Sequence, residues 1–213
     1  MKPDSRFDRE FWKAFKKEGL LKYQSAEKAV EKKDLGGETL GGMSFVKRPD
    51  WKGWSVVREL QAKGVFEAVL ATPESVEAKL LVQLLKDDYQ ATYWDGLGVN
   101  QMPDPLAEVA FDMAINQGTA AMGLCLQKLL NAFNRQGKDY ADVVEDGDPG
   151  DATMAALKAF ITVRGSEGVD VLAVGLLGCR VGGYLDLVRR KPEQENNFYG
   201  WIRARVASFI TLK

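Results

Sequence analysis

Apolar side chains recur at helical spacing along most of the chain, and this pattern predicts a mainly α protein. The segment 8–18, DREFWKAFKKE, has aromatic residues three and four positions apart, and residues 21–33 repeat the pattern less regularly. The same periodicity, with prolines near helix starts and glycines near helix ends, predicts further helices over residues 72–94, 103–118, 120–137, 151–161, 169–191 and 192–210. The short gap between residues 103–118 and 120–137 predicts an α-α hairpin.

Two stretches interrupt the helical pattern. Residues 34–54 contain five glycines and the sequence RPDWKGW, which predict a loop or short β-hairpin. Residues 94–105, WDGLGVNQMPDP, are the best candidate for an internal boundary. We therefore expect one part over residues 1–95 and a second, helical part over residues 96–213. No flexible linker separates them, so the second part is expected to pack on the first.

Charge and composition restrict the chemistry. The net charge is −1 and the chain has no histidine, which excludes Ser-His and Cys-His catalysis and histidine-containing metal sites. Residues 1–48 carry 12 basic and 8 acidic side chains, and residues 180–213 carry 7 and 3. Basic ends can attract an anionic polymer such as cell wall or nucleic acid, although solvated helix faces explain any single lysine more simply.

Cysteines and apolar runs bear on the compartment. Cys125 and Cys179 lie in apolar surroundings and are expected to pack as small hydrophobic residues, which leaves the redox compartment open. The first residues carry charges throughout and have no apolar core of signal-peptide length. The apolar run 171–179 is ended by Arg180 and is too short to span a bilayer. We expect synthesis in the cytoplasm, no cleavable signal peptide and no membrane insertion.

Glu18 stands out because of the helix face it shares. If a helix begins near residue 7, one face of it carries four side chains within about 80° of arc around the axis: Phe7, Phe11, Phe15 and Glu18. Apolar neighbours and the negative end of the helix dipole both disfavour the carboxylate form of Glu18. A carboxylic acid kept protonated near neutral pH is what a glycosidase uses to protonate a leaving oxygen. The alternative is that Glu18 reaches into water, toward Lys22 at i+4.

The glycine-rich segment DLGGETLGG, residues 34–42, offers partners for such an acid. It places Asp34, Glu38 and Thr39 in a turn that glycine permits, where side chains can converge on the floor of a cleft. An inverting glycosidase needs polar groups opposite its acid to hold and deprotonate a water. Asp34 and Thr39 suit that task, and Glu38 is a third candidate. An ordinary turn is the alternative, and a phosphate-binding loop is disfavoured because no Lys-Ser/Thr pair follows the glycines.

Several motifs together resemble glycoside hydrolase family 108, the bacterial and phage N-acetylmuramidases also described as secretion activator proteins. EG at 18–19 followed by DLGGETLGGM at 34–43 resembles that family's Glu-Gly-Gly and Asp-Pro-Gly-Gly-x-Thr-Asn-Tyr-Gly-Ile motifs. The chain departs from the pattern at Lys17, Leu20, Leu35 and Leu40-Gly41. Further resemblances follow in the family's order: DDYQATYWDGL, MPDPLAEVAFDMAINQG, the peptidoglycan-binding segment DGDPGDATMAAL, and FYGWIRARV.

The resemblance implies a lysozyme-like helical fold that cleaves the β-1,4 bond after N-acetylmuramic acid, with neither metal nor cofactor. The family's catalytic glutamate corresponds to Glu18, and its aspartate and threonine correspond to Asp34 and Thr39. The implied partner is the glycan strand of peptidoglycan, not nucleic acid, and the protein is expected to act as a monomer. It would reach the cell wall, in the periplasm, by holin-type or other non-classical export, as an endolysin does.

Three further residues are candidates for substrate binding. Asp112 and Asn116 are four positions apart on one helix face. They could hydrogen-bond each other or the next turn, or they could line the cleft and bind an N-acetyl group. Trp94 could stack on a sugar face, with core packing as the alternative.

Three functions follow in order of preference. The first is a muramidase that hydrolyses peptidoglycan, which the presence of Glu18, Asp34 and Thr39 favours. The second is a catalytically weakened peptidoglycan-binding or secretion-associated protein of the same fold, which Leu40-Gly41 favours. The third is a helical adaptor without affinity for the wall.

Overall fold

The structure is a computed structural model that describes residues 5–16, 21–31 and 37–210. Helices dominate these residues, and a small antiparallel sheet is the only other regular structure described. This architecture confirms the mainly α class and is consistent with the lysozyme-like fold implied by the resemblance. The chain divides into two compact units, Met1–Thr92 and Tyr93–Lys213.

The helices of the first unit bury short apolar stripes. Their bounds are α1 Arg6–Lys16, α2 Ala26–Glu31, α3 Gly53–Ala62, α4 Phe66–Leu70 and α5 Val76–Tyr89. Helices α3 and α4 are absent from the sequence prediction. In α3 the residues Trp54, Val57 and Leu60 recur every three positions and are all buried, so the periodicity exists but is short.

The aromatic stripe of α1 is buried as predicted. Phe7, Phe11 and Phe15 are 3%, 0% and 5% exposed. The Phe11 and Phe15 ring centroids lie 4.4 Å apart, and both rings contact Tyr89 of α5 edge-on, at 6.0 and 5.0 Å. This cluster anchors the segment that leads toward Glu18, which itself lies outside the described residues.

The sheet consists of β1 Tyr23–Gln24, β2 Thr39–Leu40 and β3 Met43–Ser44, all antiparallel. Positive φ angles at Gly41 (54°) and Gly42 (81°) form the two-residue connection between β2 and β3, as in a type I′ hairpin. The predicted hairpin within residues 34–54 is therefore confirmed. The predicted helix over residues 21–33 is wrong at β1, because Tyr23 pairs with Leu40 and Gln24 with Thr39.

Two helix starts differ from the prediction because serine provides the cap. The Ser25 Oγ accepts a hydrogen bond from the Lys28 backbone N–H at 3.3 Å, and α2 begins just after it. The Ser75 Oγ accepts from the Ala78 N–H at 3.2 Å, so α5 begins at Val76, whereas the predicted helix begins at residue 72. A π-helix, Gln90–Asp95, follows α5.

The second unit is helical throughout its regular structure. Its α-helices are α6 Leu106–Gln117, α7 Thr119–Phe133, α8 Asp151–Arg190 and α9 Glu195–Arg205, with short 3-10 turns at Val99–Gln101, Pro192–Gln194 and Ala207–Phe209. Helices α6, α7 and α8 pack on one another. Gly118, at φ 100°, separates α6 from α7, which confirms the predicted α-α hairpin.

Helix α8 joins two segments that the sequence analysis separates. Gly165 has φ 64° and ψ −155°, which breaks the helical geometry inside an otherwise continuous run. Gly150 is the N-cap residue, and Asp151 lies in the first turn, where its charge complements the helix dipole. By length and composition alone α8 could cross a membrane, a test that core helices of soluble proteins also pass. It is longer than the apolar run 171–179 because both flanks are helical.

Candidate active site

The described residues include five of the seven predicted site residues. Glu18 and Asp34 lie outside them, so their catalytic roles remain predictions. Thr39 and Glu38 belong to the first compact unit, and Trp94, Asp112 and Asn116 belong to the second.

Thr39 is held at the centre of the small sheet. It pairs with Gln24 of β1 on one side and with Ser44 of β3 on the other. Its hydroxyl donates a hydrogen bond to the Gly37 carbonyl at 3.1 Å. The next residue, Leu40, is 0% exposed, and neighbours on a strand point to opposite faces, so Thr39 projects away from the side that buries Leu40. A hydroxyl that donates one bond keeps lone pairs with which to accept others.

Glu38 lies in a closed polar network. The Tyr23 hydroxyl donates to its Oε1 at 2.7 Å, and the Arg58 Nη1 donates to the same oxygen at 2.6 Å. The Arg58 Nη2 donates to Oε2, which completes a bidentate pair. Gln61 closes the ring, because it accepts from Arg58 Nη1 at 2.9 Å and donates to the Tyr23 hydroxyl at 3.1 Å.

The pKa values of the two acidic groups in this network, Glu38 and Tyr23, are shifted in opposite directions. The hydrogen bonds from Arg58 hold the pKa of Glu38 below its usual range, although partial burial opposes them. Burial, reinforced by the hydrogen bond to Glu38, raises the pKa of Tyr23 to about 12. Near neutral pH, Glu38 is therefore an ionised acceptor and Tyr23 a neutral donor. This geometry suits a group that fixes the start of strand β2 more than one that transfers a proton.

Arg58 also meets two aromatic rings. Its guanidinium carbon lies 5.2 Å from the Phe45 ring centroid and 5.7 Å from that of Trp54, within cation–π range. The side chain remains 44% exposed. The Phe45 and Trp54 rings meet edge-on at 5.4 Å. A cation over partly exposed aromatic surface therefore lies close to the strand that carries Thr39.

Trp94 packs in the core of the second unit, which was the alternative to stacking on a sugar face. It is 4% exposed, and its ring meets Phe111 edge-on with centroids 5.4 Å apart. It lies within the π-helix, where the wider turn changes the direction of successive side chains relative to an α-helix.

Asp112 is held between two buried arginines. Its carboxylate lies 2.9 Å from Arg180 Nη1 and 2.6 Å from Arg205 Nη1. Asp112 and Arg205 are 5% and 7% exposed, and Arg180 is completely buried. Burial lowers the pKa of Arg180, and the Asp112 charge opposes that effect. The Arg180 Nε and Nη2 atoms have no hydrogen-bond partner among the described residues, so the buried charge of Arg180 depends strongly on Asp112.

Asn116 is bound by a residue of α8. Its side-chain oxygen accepts a hydrogen bond from the Tyr184 hydroxyl. Tyr184 in turn stacks on Trp201 of α9, with centroids 5.1 Å apart and planes inclined by 27°. Asp112 and Asn116 thus bind other helices of the unit. The sequence left open a hydrogen bond between the two or to the next turn, or a place in the cleft where they bind an N-acetyl group.

The sequence analysis missed the partners of these residues. Arg58, Tyr23 and Gln61 gave no local sign of their association with Glu38. Arg180 was recognised only as the end of an apolar run, although a charge within such a run is itself a sign of a buried ion pair.

Other binding features are few among residues 5–16, 21–31 and 37–210. No group of three or more Cys, Asp or Glu side chains in these ranges is arranged to hold a metal ion. The second unit has an open groove of about 510 Å³ beside the first half of α8. Its lining includes the polar and charged side chains of Gln101, Asp151, Lys158 and Thr162.

Comparison with known families covers most of the chain. The family model for Glycosyl hydrolase 108 matches residues 11–118, and a model described as Predicted Peptidoglycan domain matches residues 122–206. No curated protein matches the chain. The first match contains all seven predicted site residues and extends through α6, whereas the compact units divide after Thr92.

The order of the two matches is the order of the motifs in the sequence. A glycoside hydrolase match followed by a peptidoglycan match supports a glycosidase that acts on peptidoglycan, at the cell wall. The first match alone spans more than half of the chain. This protein therefore belongs to the Glycosyl hydrolase 108 family.

Proposed function

We propose that this protein is an N-acetylmuramidase that hydrolyses the β-1,4 bond between N-acetylmuramic acid and N-acetylglucosamine in peptidoglycan. Glu18 is the general acid, and Asp34 and Thr39 hold the attacking water. One observation carries the proposal: the Glycosyl hydrolase 108 match spans residues 11–118 and so includes all three positions within their motifs.

The small sheet supports convergence of these residues. Leu21 follows Glu18 by three positions, and Gly37 follows Asp34 by three. The segments that they begin are joined, because the Gly41 N–H donates to the Lys22 carbonyl at 3.0 Å and the Gln24 side chain donates to the Gly37 carbonyl at 3.3 Å. Three residues of chain reach at most about 11 Å, which supports the proposal that Glu18 and Asp34 act beside the strand that holds Thr39.

The proposed reaction needs only groups of this chain and water. Glu18 donates its proton to the glycosidic oxygen as the bond to the leaving sugar breaks. Asp34 accepts a proton from the water that attacks the opposite face of the sugar ring. The Thr39 hydroxyl, which already donates to Gly37, accepts a hydrogen bond from that water and orients it.

In this proposal the residues predicted to bind substrate mainly hold other parts of the protein in place. Glu38 fixes the start of the strand that carries Thr39 and holds Arg58 over Phe45 and Trp54. Asp112, Asn116 and Trp94 keep α6 fixed against α8, α9 and the π-helix, through the contacts described above. Their effect on the substrate is therefore expected through the shape of the binding surface.

A second candidate is a wall-binding protein with little hydrolytic activity. Leu40, which replaces a polar residue of the family motif, is completely buried and offers no polar atom from its side chain. The next residue, Gly41, forms part of the hairpin turn and has no side chain. A polar contact that the family motif would provide is therefore missing from this strand.

Glu18→Gln distinguishes the two candidates. Glutamine keeps the size of the side chain but cannot give a proton to the leaving oxygen, so release of muropeptides should fall by about 10²-fold or more. Binding to sedimented wall should persist, and the melting temperature should stay the same or rise slightly. Glu31→Gln, the same change at an exposed position of α2, is the matched control. Parental activity in Glu18→Gln would refute the proposed acid, and a parent protein that binds wall without cleaving it would establish the second candidate.

A further inference from the structure

The two cysteines meet between helices of the second unit. Cys125 lies on α7 and Cys179 on α8, two helices that pack on each other, and each thiol is the largest influence on the pKa of the other. One turn away, α7 and α8 approach closely again, since a Cβ added at Gly175 would lie 3.0 Å from Leu129 Cδ2. Residues 125 and 129 thus face residues 179 and 175, the pairing expected of two packed antiparallel helices. The small Gly175 permits the close approach that brings the two thiols together.

The environment of the pair differs from that expected of inert core cysteines. Both cysteines are free and only partly buried. The hydrogen bond from Cys125 lowers the pKa of Cys179 to about 7, and the nearby Lys128 cation acts in the same direction against partial burial. The same contact raises the pKa of Cys125. The pair thus loses its first proton easily and keeps its second, with Cys179 as the better nucleophile.

We propose that Cys125 and Cys179 form an intramolecular disulfide that joins α7 to α8 when the protein meets a disulfide-bearing oxidant. The Cys179 thiolate attacks one sulfur of the oxidant, whose S–S bond breaks and releases one thiolate. Cys125 then loses its proton and attacks the Cys179 sulfur, which expels the second thiolate. The two cysteines give up two electrons and two protons, and the oxidant is reduced to two thiols.

The place of action of the protein gives this bond a consequence. Thiols stay reduced in the cytoplasm, whereas disulfides persist in oxidising compartments outside it. A family member that acts on the cell wall therefore has both thiols free where it is made and the bond where it works. The bond closes the segment that contains the loop after α7 and the kink at Gly165, so it restricts the unfolded chain over a long stretch.

The experiment uses the purified full chain, reduced and then incubated with oxidised glutathione. Intact mass should fall by two hydrogens with no adduct, and peptide mapping without reduction should join the peptides that contain Cys125 and Cys179. The melting temperature of the oxidised protein should exceed that of the reduced protein by roughly 5–15 °C.

Two variants make the result specific. Cys125→Ser keeps the nucleophile but lacks the resolving thiol, so it should stop as a glutathione adduct on Cys179. In Cys125→Ser/Cys179→Ser, or the corresponding double alanine variant, oxidant should not change the melting temperature. Two free thiols after incubation, persistent glutathione adducts on the parent, or disulfides only between molecules would each overturn the proposal.

Discussion

The buried carboxylate of Asp112 offers the strongest stability prediction. Asp112→Asn keeps the shape of the side chain but removes a carboxylate charge that lies 2.9 Å from Arg180 Nη1 and 2.6 Å from Arg205 Nη1. Arg180 is 0% exposed, so its charge would remain inside the protein without an ionic partner. Removing one partner of a buried ion pair costs about 3–5 kcal/mol. For a chain of this size, each kcal/mol lowers the melting temperature by roughly 2–4 °C, so the expected drop is roughly 6–20 °C.

Thermal unfolding followed by circular dichroism measures this effect. Asp170→Asn, the same substitution at an exposed position of α8, is the matched control and should change the free energy of unfolding by less than about 0.5 kcal/mol. Arg180→Met should also destabilise the protein. Combined with Asp112→Asn it should cost less than the sum of the two, because the double variant leaves one fewer buried charge unpaired.

The same variant separates two roles for Asp112. If the carboxylate binds an N-acetyl group of the substrate and contributes nothing to the ion cluster, Asp112→Asn would raise KM without a change in melting temperature. A melting temperature within about 2 °C of the parent would refute the structural role. The structural account predicts that the loss of stability is the main effect.

Two further predictions concern the network around Glu38. Because the folded-state pKa of Glu38 is lowered, its contribution to stability is present above the unfolded pKa of about 4.3 and lost as pH falls through the folded value. Urea unfolding between pH 6 and about 3 should therefore show a smaller acid-induced loss for Glu38→Gln than for the parent, and equal losses would contradict this. The contribution of Tyr23 to stability depends on pH in the opposite direction. Because its folded-state pKa is raised to about 12, Tyr23 ionises first in the unfolded chain, and the stability of the fold decreases as pH rises from about 10. Tyr23→Phe should remove part of that alkaline slope in the same unfolding assay, and an unchanged slope would exclude the network as its source.

Local patterns were enough to predict the parts of the fold that local patterns determine. The buried stripe of Phe7, Phe11 and Phe15 and the end of α6 at Gly118 each depend on residues only a few positions apart, and both are observed. Strand β1 is only two residues long, and its partners Thr39 and Leu40 are more than ten positions away, so nothing near Tyr23 specifies it. Helix α5 begins four residues later than predicted, because Thr72 and Ser75 are both acceptable caps and it is the Ser75 Oγ that accepts a hydrogen bond from the Ala78 N–H.

The candidate site shows the same limit. Polar residues in a glycine-rich turn indicated Glu38 and Thr39, but Arg58 binds Glu38 from 20 positions away. Asp112 and Arg205 are 93 positions apart in the chain, and their ion pair depends on how α6, α8 and α9 pack. Residue type and periodicity could therefore nominate site residues, whereas their partners are set by tertiary packing that no single segment encodes.

The most direct test of the central claim identifies the new sugar ends after digestion of purified peptidoglycan. Borohydride reduction labels each reducing end, and mass analysis of the soluble fragments then distinguishes reduced N-acetylmuramic acid from reduced N-acetylglucosamine. A muramidase predicts reduced N-acetylmuramic acid at the new ends, produced by the parent and by Glu31→Gln but not by Glu18→Gln. Reduced N-acetylglucosamine at those ends, or intact glycan strands under conditions where the protein binds the wall, would contradict the account.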